Sequence, residues 1–284
     1  MFRHLLKLTW KRKSRNLMLS LEILIAFAIV FGVAAFGLRY WQLYNMPLGF
    51  DSRDLWAVTL QVGDEEKTRI PQHTYDSLRR GLAELPEVRG VAFASFQPYV
   101  NASMTSVVSR KGVRSGGMNV EGLDADDRFA GVMGLKLTEG RWFSEQDNGS
   151  AGRPAVINRR LAEAMFPGER ALGQVFVEDD KEHQVVGVVD AYRPKGELAT
   201  PVNFVFSRFE PGISRWDART ILLRVAPGTE RAFEKRLNDR LKLIRNDWSY
   251  QITPSASARV ALLKERMAPR VVVGVIAAFM AVEK

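Results

Sequence analysis

The stretch Val120–Arg193, VEGLDADDRFAGVMGLKLTEGRWFSEQDNGSAGRPAVINRRLAEAMFPGERALGQVFVEDDKEHQVVGVVDAYR, decides how the chain folds. Its hydrophobic pattern changes period several times over a short distance. Asp127–Met133 reads as a short helix and Gly140 as a turn. The run Pro-Ala-Val-Ile-Asn (154–158) is of strand type and leads directly into a helix, with Asn158 as the N-cap. Pro167-Gly168 stops that helix, and His-Gln-Val-Val-Gly-Val-Val-Asp (183–190) is another strand.

Outward from this stretch the same alternation continues. DLWAVTLQV (54–62) is strand-like. Pro71 then opens a helix with Tyr75, Leu78, Leu82 and Leu85 on one face, and VRGVAFAS (88–95) is again strand-like. Near the other end RTILLRV (219–225) is a strand and Pro227-Gly228 a break. A helix with Phe233, Leu237, Leu241 and Ile244 on one face follows, and WSYQIT (248–253) closes the series. Two β-α-β units thus bracket the region, each with apolar positions at helical period between short β-branched or aromatic runs. The expected class is α+β. Residues 45–266 form a two-lobed mixed α/β domain in which the paired β-α-β units make one subdomain and about 100–218 are inserted as a second lobe.

The ends of the chain have a different character. Residues 1–16 hold Arg3, Lys7, Lys11, Arg12, Lys13 and Arg15 with no acid, which is most of the net charge of +9. The bulk of the chain is nearly neutral, so the charge does not form a nucleic-acid-binding face and no nucleic-acid partner is expected. Phe2, Leu5, Leu6 and Trp10 follow helical spacing. That suits an amphipathic helix in the cytoplasmic headgroup layer, with a disordered basic tail as the competing reading. Leu17–Leu38, LMLSLEILIAFAIVFGVAAFGL, carries one charge, Glu22, and at helical rise spans about 33 Å, enough to cross a bilayer. Tyr40, Trp41 and Tyr44 follow as an interfacial aromatic belt, and the basic leader places the N-terminus in the cytoplasm. A cleavable signal peptide competes with this reading. The length of the apolar run and the aromatic belt favour an anchor. Glu22 is read as reaching back to the interface, with a partner on another helix as the alternative.

At the other end, VVVGVIAAFMAV (271–282) is apolar on all sides. Twelve residues cover about 18 Å, against about 30 Å for the hydrocarbon core, so 269–284 reads as the start of a second transmembrane helix. A buried amphipathic helix over Ala258–Val282 would show a polar face, and this run has none.

Few residues could carry chemistry. There is no Cys, hence no disulfide, thiolate metal site or cysteine nucleophile. No Gly-x4-Gly-Lys-Ser/Thr loop is present to cradle a nucleotide, and no Gly-x-Ser-x-Gly elbow. His4, His73 and His183 lie far apart without metal-ligand spacing. His183 reads as a hydrated turn residue. The acids Asp124, Asp126, Asp127 and Asp179, Asp180, Glu182 read as solvated loops or a helix N-terminus rather than a cation site. Trp142 and Phe143 read as core behind the Gly140 turn. No catalytic, cofactor or metal residue is expected, and the chain is not expected to be an enzyme.

One resemblance organises these readings. Gly140, Arg141, Trp142, Phe143 and Asp147 are followed by Val156-Ile157-Asn158, Leu161 and Ala162. Phe166-Pro167-Gly168, Leu172-Gly173 and Val185, Val186, Gly187, Val188, Val189 and Asp190 come next. In this order and spacing they resemble the periplasmic core domain of MacB-like ABC transporter permeases, which are related to the FtsX-like permeases. The resemblance implies that these residues are structural. It also implies four transmembrane helices, with the external domain between the first and second, in a permease of the bacterial inner membrane. The implied partners are a cytoplasmic ABC ATPase subunit and a second copy or a related permease. Such a permease couples ATP hydrolysis to movement of the external domain for export or extraction of a substrate. Against that pattern the sequence stops in the second helix, which reads as a fragment, an early-terminated gene or a degenerate copy. A two-span sensor with an extracytoplasmic ligand-binding domain has the same layout and is the alternative, with a single-span anchored adaptor behind it.

Overall fold

The computed structural model describes residues 13–62, 69–113, 116–149, 152–214 and 216–267. One compact unit is Pro47–Leu262, and the other contains the N-terminal helix. That helix, α1 (Lys13–Asn45), starts inside the basic segment and continues past Leu38, so Tyr40, Trp41 and Tyr44 lie on its last turns. It is long and apolar enough to cross a membrane. Leu17, Ile23, Phe27, Phe31 and Phe36 are each more than half exposed. A helix apolar on every side and uncovered among the described residues suits lipid rather than water. The amphipathic segment before residue 13 and the second apolar run from 269 lie outside the described residues.

In chain order the unit Pro47–Leu262 begins with β1 (Leu55–Gln61), α2 (Gln72–Ala83), β2 (Val88–Ala94), β3 (Met104–Arg110) and β4 (Met118–Ala125). It continues with α3 (Phe129–Met133), β5 (Leu137–Gly140), β6 (Arg153–Asn158), α4 (Arg159–Met165), β7 (Val175–Glu178) and β8 (Lys181–Val189). β9 (Phe204–Arg208), β10 (Thr220–Val225), α5 (Ala232–Ile244) and β11 (Ser249–Pro254) complete it. A last helix, α6, starts at 255 and is described through 267.

Four strands lie in the order β11-β1-β10-β2, each antiparallel to its neighbours. Two split β-α-β units produce this order, because each leaves a gap that a strand of the other fills. The helical period of the sequence decides what covers the sheet. Tyr75, Leu78 and Leu82 of α2 and Phe233, Leu237 and Leu241 of α5 are buried on one face, against Trp56, Val58, Leu60, Phe93, Ile221 and Leu223. Trp56 meets Phe233 edge-on at 5.5 Å, and Tyr75 meets Phe93 at 5.0 Å. The alternate residues Leu55, Ala57, Ala92, Ala94 and Leu222 point to the other face, into a second core with Phe129, Trp142, Tyr192 and Phe206. The sheet is buried on both sides, which explains why its strands read as nearly continuous apolar runs.

All the remaining strands come from between β2 and β10. β4, β3, β7, β8, β6 and β9 pair in sequence, and β9 pairs back onto β4 in parallel, so six strands close a ring. Closure satisfies edge strands that would otherwise be open. Val108, Val120, Ala155, Ile157, Phe176, Val185 and Val205 form a third core with Leu161, Met165 and Phe166 from α4 and the residue after it. The ring joins the four-stranded sheet through one strand pair, Ala94 with Ala125. A mixed α/β domain with paired β-α-β units and an inserted lobe is the architecture expected from the sequence.

Asn158 holds three parts of the ring at once. Its Oδ1 accepts from the Leu161 N–H at 3.1 Å and the Phe204 N–H at 3.0 Å, and its Nδ2 donates to the Val202 carbonyl at 2.8 Å. Removing the side chain strips a helix cap and leaves a strand N–H unmet in a buried position. Asn158→Ala is expected to cost about 3 kcal/mol and to lower the unfolding temperature by several degrees. Thermal unfolding of the solubilised chain followed by circular dichroism measures this, and an unchanged transition would contradict the assignment.

Candidate functional site

Two motif glycines meet where β5 pairs with β8. Gly140 has φ +68, and a Cβ there would lie 2.2 Å from the Val186 carbonyl oxygen. Its strand partner is Gly187, where a Cβ would lie 2.3 Å from the Arg141 carbonyl oxygen. Only glycine at both positions allows this approach. The chain then turns Trp142 inward. Its indole N–H donates to the Asp126 carbonyl at 3.1 Å, and its ring stacks on Phe129 and meets Phe143 and Phe206.

Arg141 forms two parallel bonds to Asp147, at 2.6 and 2.7 Å, while Asp147 also accepts from the Ser144 N–H. The guanidinium bond is the main reason the Asp147 carboxyl is held below its usual range. Leu161 and Phe166 are buried in the ring's core, and Pro167, Gly168, Leu172 and Gly173 make the connection from α4 to β7. Val186–Val189 belong to β8, and Asp190 pairs with Arg159 at 3.1 Å. The polar groups of the motif thus bond to neighbouring side chains and to backbone.

A separate feature opens at one end of the ring, a cavity of about 360 Å³ lined by residues of β3, β4, β6, β7, β8 and β9 and by the segment after β9. His183 lines it and is 5% exposed, in the middle of a strand pairing and stacked on Phe176 at 5.3 Å. This corrects the expectation of a hydrated turn residue. In KEHQVVGVV the buried positions His183 and Val185 alternate with the exposed Gln184, so period two was the available signal. Burial, with Arg153 and Lys181 nearby, lowers its pKa to about 4. Its Nδ1 has no hydrogen-bond partner among the described residues, and its Nε2 lies 3.8 Å from a Glu178 oxygen. Glu178 accepts from the Ser106 hydroxyl, and burial raises its pKa.

Asp124, at the end of β4, is 7% exposed, and its carboxyl meets no hydrogen-bond donor among the described residues. Burial first and the Glu178 charge second push its pKa up to about 7, against the pull of Arg153. The solvated-loop reading of the first acidic cluster is thus corrected at two positions. Asp124 is buried in the cavity wall, and Asp126 is buried against Arg79 at 2.9 Å, at the start of the turn into α3. Asp127 is bonded to Arg208 at 2.7 Å. In the second cluster Asp179 and Asp180, at φ +47 and +60, form the β7–β8 hairpin turn. Exposed Glu182 pairs with Lys111.

The family described as MacB-like periplasmic core domain matches residues 22–240. The macrolide export ATP-binding/permease protein MacB 1/2 of Paracoccus denitrificans (strain Pd 1222) is 27% identical over 273 residues, covering 88% of this chain and 38% of that protein. The uncharacterized ABC transporter permease YvrN of Bacillus subtilis (strain 168) is 23% identical over 235 residues, covering 78% of this chain and 55% of that one. The chain therefore spans about two fifths to a little over half of the length of these relatives. The crystal structure of the periplasmic region of MacB from Actinobacillus actinomycetemcomitans shares the fold. Its TM-score is 0.53 at 16% identity, over 78% of this chain and 97% of that one.

The cavity groups give the domain an unusual pH response. Asp124 has a folded pKa raised above 3.8, so the stability it contributes is present at low pH and is lost as pH rises through about 7. His183 has a folded pKa depressed below 6.5, so its contribution is present at neutral pH and is lost as pH falls through about 4. The two oppose each other between these limits. Asp124→Asn removes the first, so the variant should be more stable than the parent above pH 7 and should show only the His183 decline in acid. Unfolding temperatures measured across this pH range check it, and identical profiles of the two chains between the ordinary Asp value of 3.8 and about 7 would contradict it.

Proposed function

This chain belongs to the MacB-like periplasmic core domain family, and from that premise we propose that it is the membrane subunit of an ABC-type transporter. ATP hydrolysis by an ATPase subunit moves the helices that flank the domain, and the domain moves with them. A substrate is thereby exported or extracted on the outer side of the inner membrane. The relatives are ABC transporter permease components, so the chain is not read as a standalone enzyme. It contains no nucleotide-cradling loop of the Gly-x4-Gly-Lys-Ser/Thr type. These relatives do not favour the two-span sensor.

The observation that carries the reading is the pairing of β1 with β11, in which Trp56 lies opposite Pro254. The chain enters and leaves the domain on adjacent strands at one end of the sheet. α1 ends at Asn45, a short linker before Leu55, and α6 begins at the residue after Pro254. A displacement of the outgoing helix thus reaches β11 with no intervening loop, and β11 passes it to β1 through their shared hydrogen bonds. Stiff, closely packed elements transmit such a shift as a rigid body rather than absorbing it. The domain is assigned to the outer side by the basic leader. The partners assigned are a cytoplasmic ATPase and a second permease copy or a related permease.

The native chain has no cysteine, which makes labelling direct. A cysteine at Leu243, which is 79% exposed, should react with a membrane-impermeant maleimide in intact cells. A cysteine added before Met1 should react only after lysis. The reverse pattern, or labelling of both in intact cells, would contradict the orientation. The purified chain should turn over ATP only when a partner ATPase is supplied, and turnover by the chain alone would contradict the assignment.

A further inference from the structure

We propose that the mouth of the six-stranded ring is a binding site for a small ligand carrying one primary ammonium group on an apolar stem, with Asp124 as its counter-ion. The cavity, about 360 Å³, falls in the size range of small-molecule sites. Several donors of its wall are already engaged: the Ser214 hydroxyl donates to the Arg208 carbonyl, and the Arg208 guanidinium to Asp127 and Asn148. Among the described residues the almost wholly buried Asp124 carboxyl has no donor, and the buried Nδ1 of His183 has no partner. Ser106 supplies one donor, and Glu178 takes it. A buried acceptor left unmet is costly, and a ligand that donates to it recovers that cost.

Charge decides between an ammonium and a neutral hydroxyl. Asp124 and Glu178 lie close enough for the Glu178 charge to disfavour ionisation of Asp124, and burial raises both pKa values. A cation between them relieves the repulsion and the poor solvation together, and charge-assisted bonds are roughly twice as strong as neutral ones. Arg153, Lys181 and Arg208 also line the cavity, but the first two are exposed, so water screens them, and the buried side chain of Arg208 is paired with Asp127 and Glu210. Their presence limits the ligand to a single positive charge. Outside the polar wall, Ile213 and Trp216 are 64% and 57% exposed and offer an apolar shelf for the stem.

The test is isothermal titration of the full chain in lipid nanodiscs at pH 7, with n-hexylamine, n-hexanol and hexanoate as probes. Empty discs supply the correction for partitioning into lipid. The expected result is saturable binding of the amine, with a heat that varies with the buffer's ionisation enthalpy because Asp124 releases its proton as the ammonium binds. Affinity should fall about tenfold or more in Asp124→Asn, in line with loss of a charge-assisted bond, and the proton release should vanish. The surface substitution Trp216→Ser should weaken amine binding several-fold while the chain melts as the parent does, which keeps the proposal testable should Asp124→Asn fold poorly. Absence of saturable amine binding, unchanged affinity in either variant, or equal binding of the alcohol or the acid would overturn it.

Discussion

The strand Leu55–Gln61 is hydrogen-bonded along both edges to strands from the far end of the domain, Thr220–Val225 on one side and Ser249–Pro254 on the other. Most of the architecture depends on that double pairing. It places the two amphipathic helices on one face of the sheet. It forces everything between Val88–Ala94 and Thr220–Val225 to leave as an insertion, and it brings the incoming and outgoing chain side by side. Side chains of this strand are buried on both faces, with Leu55 and Ala57 in one core and Trp56, Val58 and Leu60 in the other. Each fully buried large side chain of this kind contributes about 1.5–3 kcal/mol. The contacts are distant in sequence, so the chain must close long loops before this burial is gained.

Beyond the apolar core they share, the inserted ring and the sheet are tied by a few specific contacts. Ala94 pairs with Ala125, Arg79 reaches across to Asp126, and Trp142 donates to the Asp126 carbonyl. In the ion pair, burial is the largest influence on Asp126 and raises its pKa even beside Arg79, so desolvation offsets much of the attraction. The pair is better understood as fixing how α2 meets the start of α3 than as a large source of stability. Arg79 also lies over the Phe93 ring at 4.9 Å, which anchors its stem to the sheet. The ring itself combines an apolar interior with a polar end, where Asp124, Glu178 and His183 sit in a low dielectric.

Much of this could be seen in the sequence wherever one residue pattern has one physical meaning. Tyr75, Leu78 and Leu82, and likewise Phe233, Leu237 and Leu241, repeat at helical period and are buried as that period requires. Asn158 between an apolar run and a helix is its cap, and Gly140 is a forced turn. The ring was not legible, and its strands show why. Met104–Arg110 is rich in Ser and Thr with one face in solvent, and Val175–Glu178 is only four residues long. Closure rests on Met118–Ala125 pairing in parallel with Phe204–Arg208, a non-local match that no local period encodes. The cavity was missed for a related reason. An Asp or His in a polar stretch reads as solvated unless its parity along a strand is known, and the parity follows from a pairing that sequence does not display.

The pairing of the first and last strands can be measured directly because the native chain lacks cysteine. Gln61 and Ser249 are register partners at the end of that pairing, and both are exposed. In a chain carrying Gln61→Cys and Ser249→Cys, mild oxidation should form one intramolecular disulfide in nearly all molecules, detected by mass and by altered mobility on a denaturing gel. A folded chain with the parent's unfolding temperature in which the two thiols stay free would contradict the pairing, and with it the route by which the flanking helices are held to move the domain.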